Sequence, residues 1–245
     1  MRYGLIADLH ANIEALGEVF KALDQLSVDQ VVCLGDIVGY AATPVECIDI
    51  LRERKVRSIS GNHDRYVTGT TPMVDIRQDT AQAVDWTKSV LQPGHLGYLQ
   101  GLPKQRLAEA SIMLVHGSPR HEDEYILGVR EMTENLQLLI SHHQDVKVCF
   151  FGHTHHPVVV GQGTLITSIP EDKKIPLDHG KTYLINPGSV GQPRDGINKS
   201  AFGVFDTMTW TMEFYRVQYN IQSIQDKIRA AGLSERFASR LAQGR

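Results

Sequence analysis

Cysteine is scarce in this 245-residue sequence, which contains only three, at Cys33, Cys47 and Cys149. An odd and widely spaced set cannot form a disulfide framework, so these residues indicate free thiols in a reducing compartment. Cys33 and Cys149 lie within apolar, strand-like runs and are expected to be core residues. The sequence therefore excludes the class of small secreted domains that are held together by disulfides.

Long hydrophobic runs are also missing. No stretch approaches the roughly 20 apolar residues that a membrane-spanning helix needs, and no apolar segment with a small-residue cleavage site stands at the start. The charge is nearly balanced, with 25 Lys and Arg against 28 Asp and Glu, whereas a general nucleic-acid-binding protein is usually clearly basic. We expect a cytoplasmic protein without a membrane partner, for which nucleic acid is a disfavoured partner.

The residues that are present are typical of a globular protein, with 42% hydrophobic and 22% charged. We find no repeat and no linker, and expect one domain over residues 1–245. The first half alternates buried strands with amphipathic helices. This order predicts right-handed crossovers and a mostly parallel sheet. The predicted elements are strand 3–7, helix 12–26, strand 30–34, helix 44–54 and strand 56–60.

The second half has a different pattern, because tight turns rather than long helices separate its strands. This pattern favours a mainly antiparallel sheet. We therefore expect an α/β fold with two stacked sheets and helices outside. The remaining predicted elements are helix 79–90, one or two strands in 106–115, helix 129–140, strands 146–151, 158–160, 164–168, 183–185, 202–206 and 209–217, and one or two helices in 221–241.

Polar side chains that can bind metal follow five of the predicted strands. Open α/β sheets place ligands at the carboxyl ends of their strands, so these residues are expected to converge in space. Two pairs have i,i+2 spacing, which in extended backbone directs both side chains to the same side. The residues are Asp8 and His10, Asp36, Asn62 and His63, His116, and His153 and His155.

The donor atoms are oxygen and nitrogen only, which suits Mn, Fe, Zn, Co or Ni better than a thiolate-selective metal. Two Asp and four or five His are more ligands than one ion uses. A centre of two metal ions with one bridging carboxylate accounts for the number. Such a site keeps net positive charge and attracts a phosphate, and two-metal sites commonly catalyse phosphoryl displacement.

The same residues resemble the motifs of a known family. Asp8-Leu9-His10, Gly35-Asp36, Gly61-Asn62-His63-Asp64, His116-Gly117 and Gly152-His153-Thr154-His155 occur in the order found in the calcineurin-like metallophosphoesterase superfamily. The later Asn186-Pro187-Gly188-Ser189 resembles a segment of its small bacterial and archaeal phosphodiesterase branch. The resemblance runs from Asp8 to roughly Arg194.

The resemblance implies a four-layer α/β/β/α sandwich of two mixed β-sheets flanked by helices. It also implies two divalent metal ions, with Mn²⁺ the first choice and Fe, Zn, Ni or Co as alternatives. The first ion would be held by Asp8, His10, Asp36 and His155. The second would be held by Asp36, Asn62, His116 and His153, so that Asp36 bridges the two.

The family further implies that His63 is a catalytic histidine that is not a ligand, with Asp64 orienting it through a hydrogen bond. In the implied mechanism a hydroxide activated by both metals attacks phosphorus, and His63 protonates the leaving group. Arg194 is a candidate to reach the phosphate, and a solvated loop cation is the alternative. Tyr40 could stack on a substrate base or simply pack against its loop.

One departure from the family concerns the protein phosphatases of the superfamily, in which Gly-Asp continues to a second Asp and an Arg. Here it continues Ile37-Val38-Gly39-Tyr40, which argues against a protein phosphatase. The favoured function is hydrolysis of a small phosphodiester or nucleotide. Phosphomonoesters and dinucleoside polyphosphates are alternative substrates, and a non-catalytic scaffold is less favoured because His63 and every expected ligand are present.

Two further expectations concern the surroundings of the site and the assembly of the chain. Residues 118–128 directly follow His116 and are expected to border the substrate pocket, and their acidity disfavours a nucleic-acid groove there. The sequence leaves the oligomeric state open and is compatible with a homodimer.

Overall fold

The computed structural model describes all residues 1–245. Its strands are β1 (Arg2–Ile6), β2 (Gln30–Cys33), β3 (Arg57–Ser58), β4 (Gln105–Glu109), β5 (Ile112–Val115), β6 (Val148–Phe150), β7 (Val158–Gly161), β8 (Thr164–Ile166), β9 (Lys173–Pro176), β10 (Tyr183–Asn186), β11 (Ser200–Asp206) and β12 (Thr211–Val217). Its helices are α1 (Ile13–Gln25), α2 (Pro44–Glu53), α3 (Asn62–Thr68), α4 (Gln78–Val90), α5 (Pro93–Gln100), α6 (Val129–His142), α7 (Ile221–Ala230) and α8 (Glu235–Gln243).

The strands form two six-stranded sheets, ordered β3-β2-β1-β11-β12-β9 and β4-β5-β6-β10-β7-β8. Both sheets are mixed. In the first, β1, β2 and β3 are parallel and the other pairs antiparallel. In the second, β5, β6 and β10 are parallel, whereas β4, β7 and β8 pair antiparallel with their neighbours.

Alternation along the central strands explains how the two sheets stack. Tyr3 and Leu5 of β1 point into an apolar core that also contains Val148 and Phe150 of β6, so this core lies between the sheets. Ile6 points the opposite way, into a second core formed with α1 and α2. Because both faces of the central strands are buried, their sequences are continuous apolar runs rather than polar–apolar alternations.

Helices cover the outer faces of both sheets. The apolar stripe of α1, which contains Leu16, Val19 and Phe20, packs on the first sheet, and the Asn12 side chain caps the helix by accepting from the Ala15 amide at 3.1 Å. Helix α6 packs on the second sheet through Met132 and Leu139. The expected four-layer α/β/β/α sandwich of two mixed sheets is confirmed. None of the helices combines the length and apolar character needed to cross a bilayer.

The sequence-based division of the strands into a parallel first half and an antiparallel second half is wrong in one respect. Strands from both halves of the chain contribute to each sheet, because β11 inserts beside β1 and β10 inserts beside β6. Strand β9 and helices α3 and α5 were not predicted at all. Strand β9 is a largely exposed edge strand, and α5 contains two glycines within eight residues.

Candidate metal centre and active site

The loops that follow five parallel strands meet at one edge shared by the two sheets. The first sheet contributes the loops after β1, β2 and β3, and the second contributes those after β5 and β6. The loops are hydrogen-bonded to one another: the Asp8 amide donates to Gly35 O at 3.0 Å, and the His153 amide donates to Asp8 Oδ1 at 2.9 Å. Residues 145 positions apart are thereby fixed relative to each other.

Six of the seven predicted ligands form two adjoining groups. In each group the candidate donor atoms all lie within 4.8 Å of one another, and Asp36 belongs to both groups. Asn62, the seventh, places its Oδ1 atom 3.1 Å from His116 Nε2. All seven side chains are buried. The first group is Asp8, His10, Asp36 and His155, and the second is Asp36, His116 and His153.

Three imidazole rings are held with Nε2 turned into the cluster. Their Nδ1 atoms face backbone carbonyls, Val38 O for His10 at 3.3 Å and Leu34 O for His116 at 2.8 Å, and Gln192 O for His155. An Nδ1–H that donates to a carbonyl leaves Nε2 free as a lone-pair donor, which is the usual arrangement around metal-binding histidines.

Several atoms of the cluster have no suitable partner within the protein. His10 Nε2 and His155 Nε2 face each other at 3.1 Å, and with both Nδ1 atoms protonated each presents a lone pair. Asp8 Oδ2 and His153 Nε2 are buried without a hydrogen-bond partner. Buried polar atoms of this kind are costly unless something binds them. The nitrogen and oxygen donors therefore fit divalent transition-metal ions.

The charges within the cluster support the same conclusion. Burial by itself favours the neutral carboxyl of Asp36, but the neighbouring histidines together, His116 foremost, outweigh burial and hold the pKa of Asp36 well below its usual range. Burial likewise lowers the pKa of His116, but Asp36, Asp8 and the Leu34 carbonyl together outweigh it and raise the pKa of that ring to about 9. A proton therefore lies on His116 Nε2, 3.4 Å from Asp36 Oδ2, in a position where a metal ion could replace it.

The other rings of the cluster are neutral. Burial lowers the pKa values of His10, His153 and His155 well below that of free histidine. Neutral imidazole is the form that binds a metal. Burial also raises the pKa of Asp8 to about 7, because its carboxylate has few compensating charges in the metal-free protein.

His63 lies beside the cluster but is not a member of either donor group. Its amide donates to Asp36 Oδ1 at 2.9 Å, and its ring lies edge-on to that of His10, with centroids 4.9 Å apart. The side chain is only 3% exposed, and its Nδ1 atom has no hydrogen-bond partner. Burial lowers the pKa of His63 to about 4, so the ring is neutral in the free protein.

The expected hydrogen bond between Asp64 and His63 is not formed. Asp64 Oδ1 accepts from the amides of Ile37 and Val38 at 2.9 and 3.2 Å, and Oδ2 accepts from the Gly61 amide at 2.9 Å. The carboxylate thus accepts three backbone hydrogen bonds and none from the His63 ring. Asp64 instead ties the start of α3 to the loop after Asp36, and thus fixes the positions of two ligand-bearing segments.

The i,i+2 pairs do converge, but the reason given by the sequence is wrong. The backbone is not extended there: Asp8 and His10 have φ of 53° and 46°, and His153 and His155 have 65° and 60°. Asp36, with φ of 52°, shares this left-handed conformation. It costs non-glycine residues about 1–2 kcal/mol each. Five of the seven predicted ligand residues are thus held in strained backbone by the surrounding loops.

Arg194 and Tyr40 lie next to the cluster. The Tyr40 ring is 4.5 Å from that of His10 and 4.3 Å from that of His63. The guanidinium carbon of Arg194 is 5.8 Å from the same tyrosine ring. Arg194 donates to Gln192 Oε1 at 3.1 Å, and its buried Nε atom has no partner.

Residues 118–128 do border the site, through one side chain in particular. The Tyr125 ring stacks on His153 with centroids 3.8 Å apart and remains 46% exposed. The acidic residues beside it have a structural use, because Glu122 and Asp123 both pair with the buried Arg65 of α3. The loop is therefore anchored to the helix that bears Asn62 and His63.

Three further residues fix the positions of the candidate site residues through contacts that the sequence does not predict. Asn186 donates through Nδ2 to Gly152 O at 2.7 Å, and Ser189 donates to Asp8 O at 2.9 Å. Gly39, at φ +93°, lies so close to His63 that a Cβ atom there would overlap Nδ1 of the ring. In the sequence, only Gly39 and the segment Asn186-Pro187-Gly188-Ser189 give any indication of these contacts.

Comparison with known proteins identifies relatives along the whole length of the chain. The model of the calcineurin-like phosphoesterase superfamily domain matches residues 1–209. An uncharacterized protein of Methanocaldococcus jannaschii is 36% identical over 245 residues, which cover 98% of this chain and 97% of that protein.

Solved structures agree with this result. A metallophosphoesterase from Sphaerobacter thermophilus is 35% identical, with a TM-score of 0.87 and coverage of 100% and 99% of the two chains. A hypothetical protein from Pyrococcus horikoshii is 20% identical with a TM-score of 0.84, covering 100% and 98%, which is a similarity of fold. With its two-sheet sandwich and its His and Asp cluster, this chain belongs to the calcineurin-like phosphoesterase superfamily.

Proposed function

We propose that the protein is a metal-dependent phosphodiesterase that hydrolyses a small phosphodiester or nucleotide. The family is one of phosphoric ester hydrolases. The observation that carries the proposal is the convergence of seven buried side chains from the loops of two sheets, with the carboxylate of Asp36, one of the seven, shared by both donor groups. Two histidine lone pairs that face each other repel and so stabilise nothing by themselves, whereas a bound cation would be coordinated by both.

The two donor groups fit two divalent metal ions, for which Mn²⁺ is the first choice. Asp8, His10, Asp36 and His155 would hold one, and Asp36, Asn62, His116 and His153 the other. When bound, such ions supply positive charge to a phosphate and make water more acidic.

The residues around the donor groups have separate roles in this proposal. The ring centroids of His63 and His10 lie 4.9 Å apart. His63 donates a proton to the leaving oxygen as general acid. The negative charge of a bound ester favours the protonated imidazole that this step needs. Arg194, whose Nε atom is free, neutralises charge on a phosphate oxygen. Asp64 holds the two loops together.

The reaction class is tested with protein stripped of metal by chelation and reloaded separately with Mn²⁺, Fe²⁺, Zn²⁺, Ni²⁺ or Co²⁺. We expect hydrolysis of an aryl phosphodiester after reloading, and none in excess chelator. Asp36→Asn is expected to lose both bound metal and activity, whereas Asp226→Asn, at an exposed position on α7, retains both. Undiminished activity in chelator would refute metal dependence, and activity on monoesters alone would favour a phosphomonoesterase.

The role of His63 is tested by comparing His63→Gln with His142→Gln, a change at an exposed position on α6. Loss of a general acid lowers turnover by about 10²–10⁴-fold, and we expect the loss to be smaller for an activated aryl leaving group than for a nucleoside. Metal content should be unchanged. Equal losses on both esters would indicate that His63 positions the phosphate instead, and loss of metal would make it a ligand.

A further inference from the structure

A cavity of about 480 Å³ lies beside the candidate metal centre, and we call it the side cavity. Three stretches of the chain line it: residues 156–157, which follow the candidate ligand His155, residues 167–170 between β8 and β9, and residues 194, 195 and 197. Small-molecule sites have volumes of about 300–1,000 Å³. The side cavity is therefore large enough for a ligand, and the roles proposed above leave it unused.

Arg194 and His156 connect the side cavity to the candidate metal centre. Arg194 lines the cavity, and its guanidinium carbon is also 5.8 Å from the Tyr40 ring, which contacts the ring of His63. The Arg194 amide donates to His155 O at 3.4 Å, and His156 directly follows that candidate ligand. A phosphate bound between the cluster and Arg194 would therefore lie next to the side cavity.

Arg216 of β12 holds two walls of the side cavity together. Its side chain, which is 4% exposed, pairs with the carboxylate of Asp195 and donates to Ile169 O at 3.0 Å. Asp195 and Ile169 belong to different walls, so the buried guanidinium fixes the distance between them and compensates the charge of Asp195. A cavity whose walls are fixed in advance loses little entropy when a ligand binds.

The side chains that line the side cavity are suited to binding hydroxyl groups. Thr167 and Ser168 are exposed, and a hydroxyl can both donate and accept a hydrogen bond. His156 Nδ1 lies 2.7 Å from Thr154 O, so Nε2 is the ring atom left to accept a hydrogen bond when the ring is neutral. No Phe, Tyr or Trp lines the cavity, so a nucleobase would find no such ring to stack on.

We propose that the side cavity binds a polyhydroxylated group, such as a sugar, that is esterified to the phosphate in the metal centre. The inference rests on the proposed function and narrows it to phosphodiesters in which one of the two alcohols is a sugar or another polyol. Thr167, Ser168 and His156 exchange hydrogen bonds with its hydroxyls, and Ile169 and Ile197 contact its carbon atoms.

The test uses two para-nitrophenyl phosphodiesters that differ in their second alcohol. One contains methyl glucoside, joined through its primary hydroxyl, and the other contains cyclohexylmethanol. Both carry a six-membered ring on a CH₂ group and release the same phenol, so the ratio of their kcat/KM values reports recognition of the hydroxyls. We expect the wild type to prefer the sugar ester.

The variant for this assay combines Thr167→Val with Ser168→Ala. We expect it to reduce the preference for the sugar ester by roughly 5- to 50-fold, the effect of losing two neutral hydrogen bonds. The control combines Thr133→Val with Ser141→Ala, the same substitutions at exposed positions of α6, and should change the ratio by less than about twofold. A wild type without the preference, or a variant that slows both esters equally, overturns the proposal.

Calorimetry supplies a measurement that does not depend on turnover. Methyl glucoside 6-phosphate, cyclohexylmethyl phosphate and inorganic phosphate are titrated into each metal-loaded protein, and metal content is measured afterwards. A loss of affinity for the sugar phosphate alone in the double variant supports the proposal, whereas equal changes for all three anions, or none, overturn it. If the wild type hydrolyses no ester with any metal, the proposed function fails, and this comparison still decides whether the side cavity binds a sugar.

A second variant tests the location of the bound group. Ser168→Trp places a bulky side chain at an exposed position on the wall of the side cavity. We expect it to weaken binding of methyl glucoside 6-phosphate by at least about tenfold and to leave the affinity for inorganic phosphate unchanged. Unchanged affinity for the sugar phosphate would show that the sugar lies elsewhere and would overturn the proposal.

Discussion

Replacement of Gly39 by alanine tests whether this glycine fixes the position of His63. Two costs are expected. The left-handed φ of +93° strains any L-residue by about 1–2 kcal/mol. The new methyl group would also overlap the buried imidazole ring, and overpacking of this kind costs about 1–3 kcal/mol.

Gly163→Ala is the matched control. Gly163 has φ +80°, in the turn between β7 and β8, and a methyl group added there would have no atom within 4 Å. Alanine at position 163 therefore has the backbone strain of a positive φ without a steric overlap of its methyl group. Because both changes also reduce the entropy of the unfolded chain to a similar extent, the difference between the two variants isolates the contact with His63.

The measurement is urea denaturation of the metal-free proteins, analysed by linear extrapolation. We expect Gly39→Ala to lower the free energy of unfolding by about 1–3 kcal/mol more than Gly163→Ala. Displacement of the ring should also lower the turnover of a nucleoside ester in the metal-loaded enzyme. Equal stabilities of the two variants would refute the argument that Gly39 packs against His63.

Two further substitutions test the surroundings of the site, and a chemical probe tests the burial of the cysteines. Arg65→Met removes charged hydrogen bonds from a side chain that is 3% exposed and is expected to lower stability by about 2–3 kcal/mol in urea denaturation; an unchanged midpoint would contradict this. Asn186→Ala leaves the buried Gly188 amide without its acceptor and removes one donor to Gly152 O, which should lower stability by about 1–3 kcal/mol and also lower metal affinity, measured by calorimetry. Burial raises the pKa values of the three cysteine thiols, so mass spectrometry should detect alkylation only after denaturant is added.

The parts of the fold that could be predicted from the sequence are those with strong local periodicity. Helix α1 and the strands β1, β2 and β6 were predicted because burial on one or both faces leaves a regular pattern in their residues. Which strands pair with which was not predictable. The insertion of β11 beside β1 joins residues about 200 positions apart, and no local pattern records such a pairing.

The candidate site also contains some features that the sequence predicts and others that it does not. The seven candidate ligands could be named because metal binding restricts residue type and each residue follows a predicted strand. The partner of Asp64 could not be named, since its backbone donors belong to a loop 26 and 27 positions away.

The left-handed backbone of the ligand residues has a consequence for how the protein responds to heat. Strain in the native state lowers the stability of the metal-free form. An ion that binds only the folded chain raises the stability again, in proportion to the logarithm of the ion concentration. The melting temperature should therefore rise with free metal. The thermal stability of this protein should thus depend on the supply of metal as well as on the packing of its core.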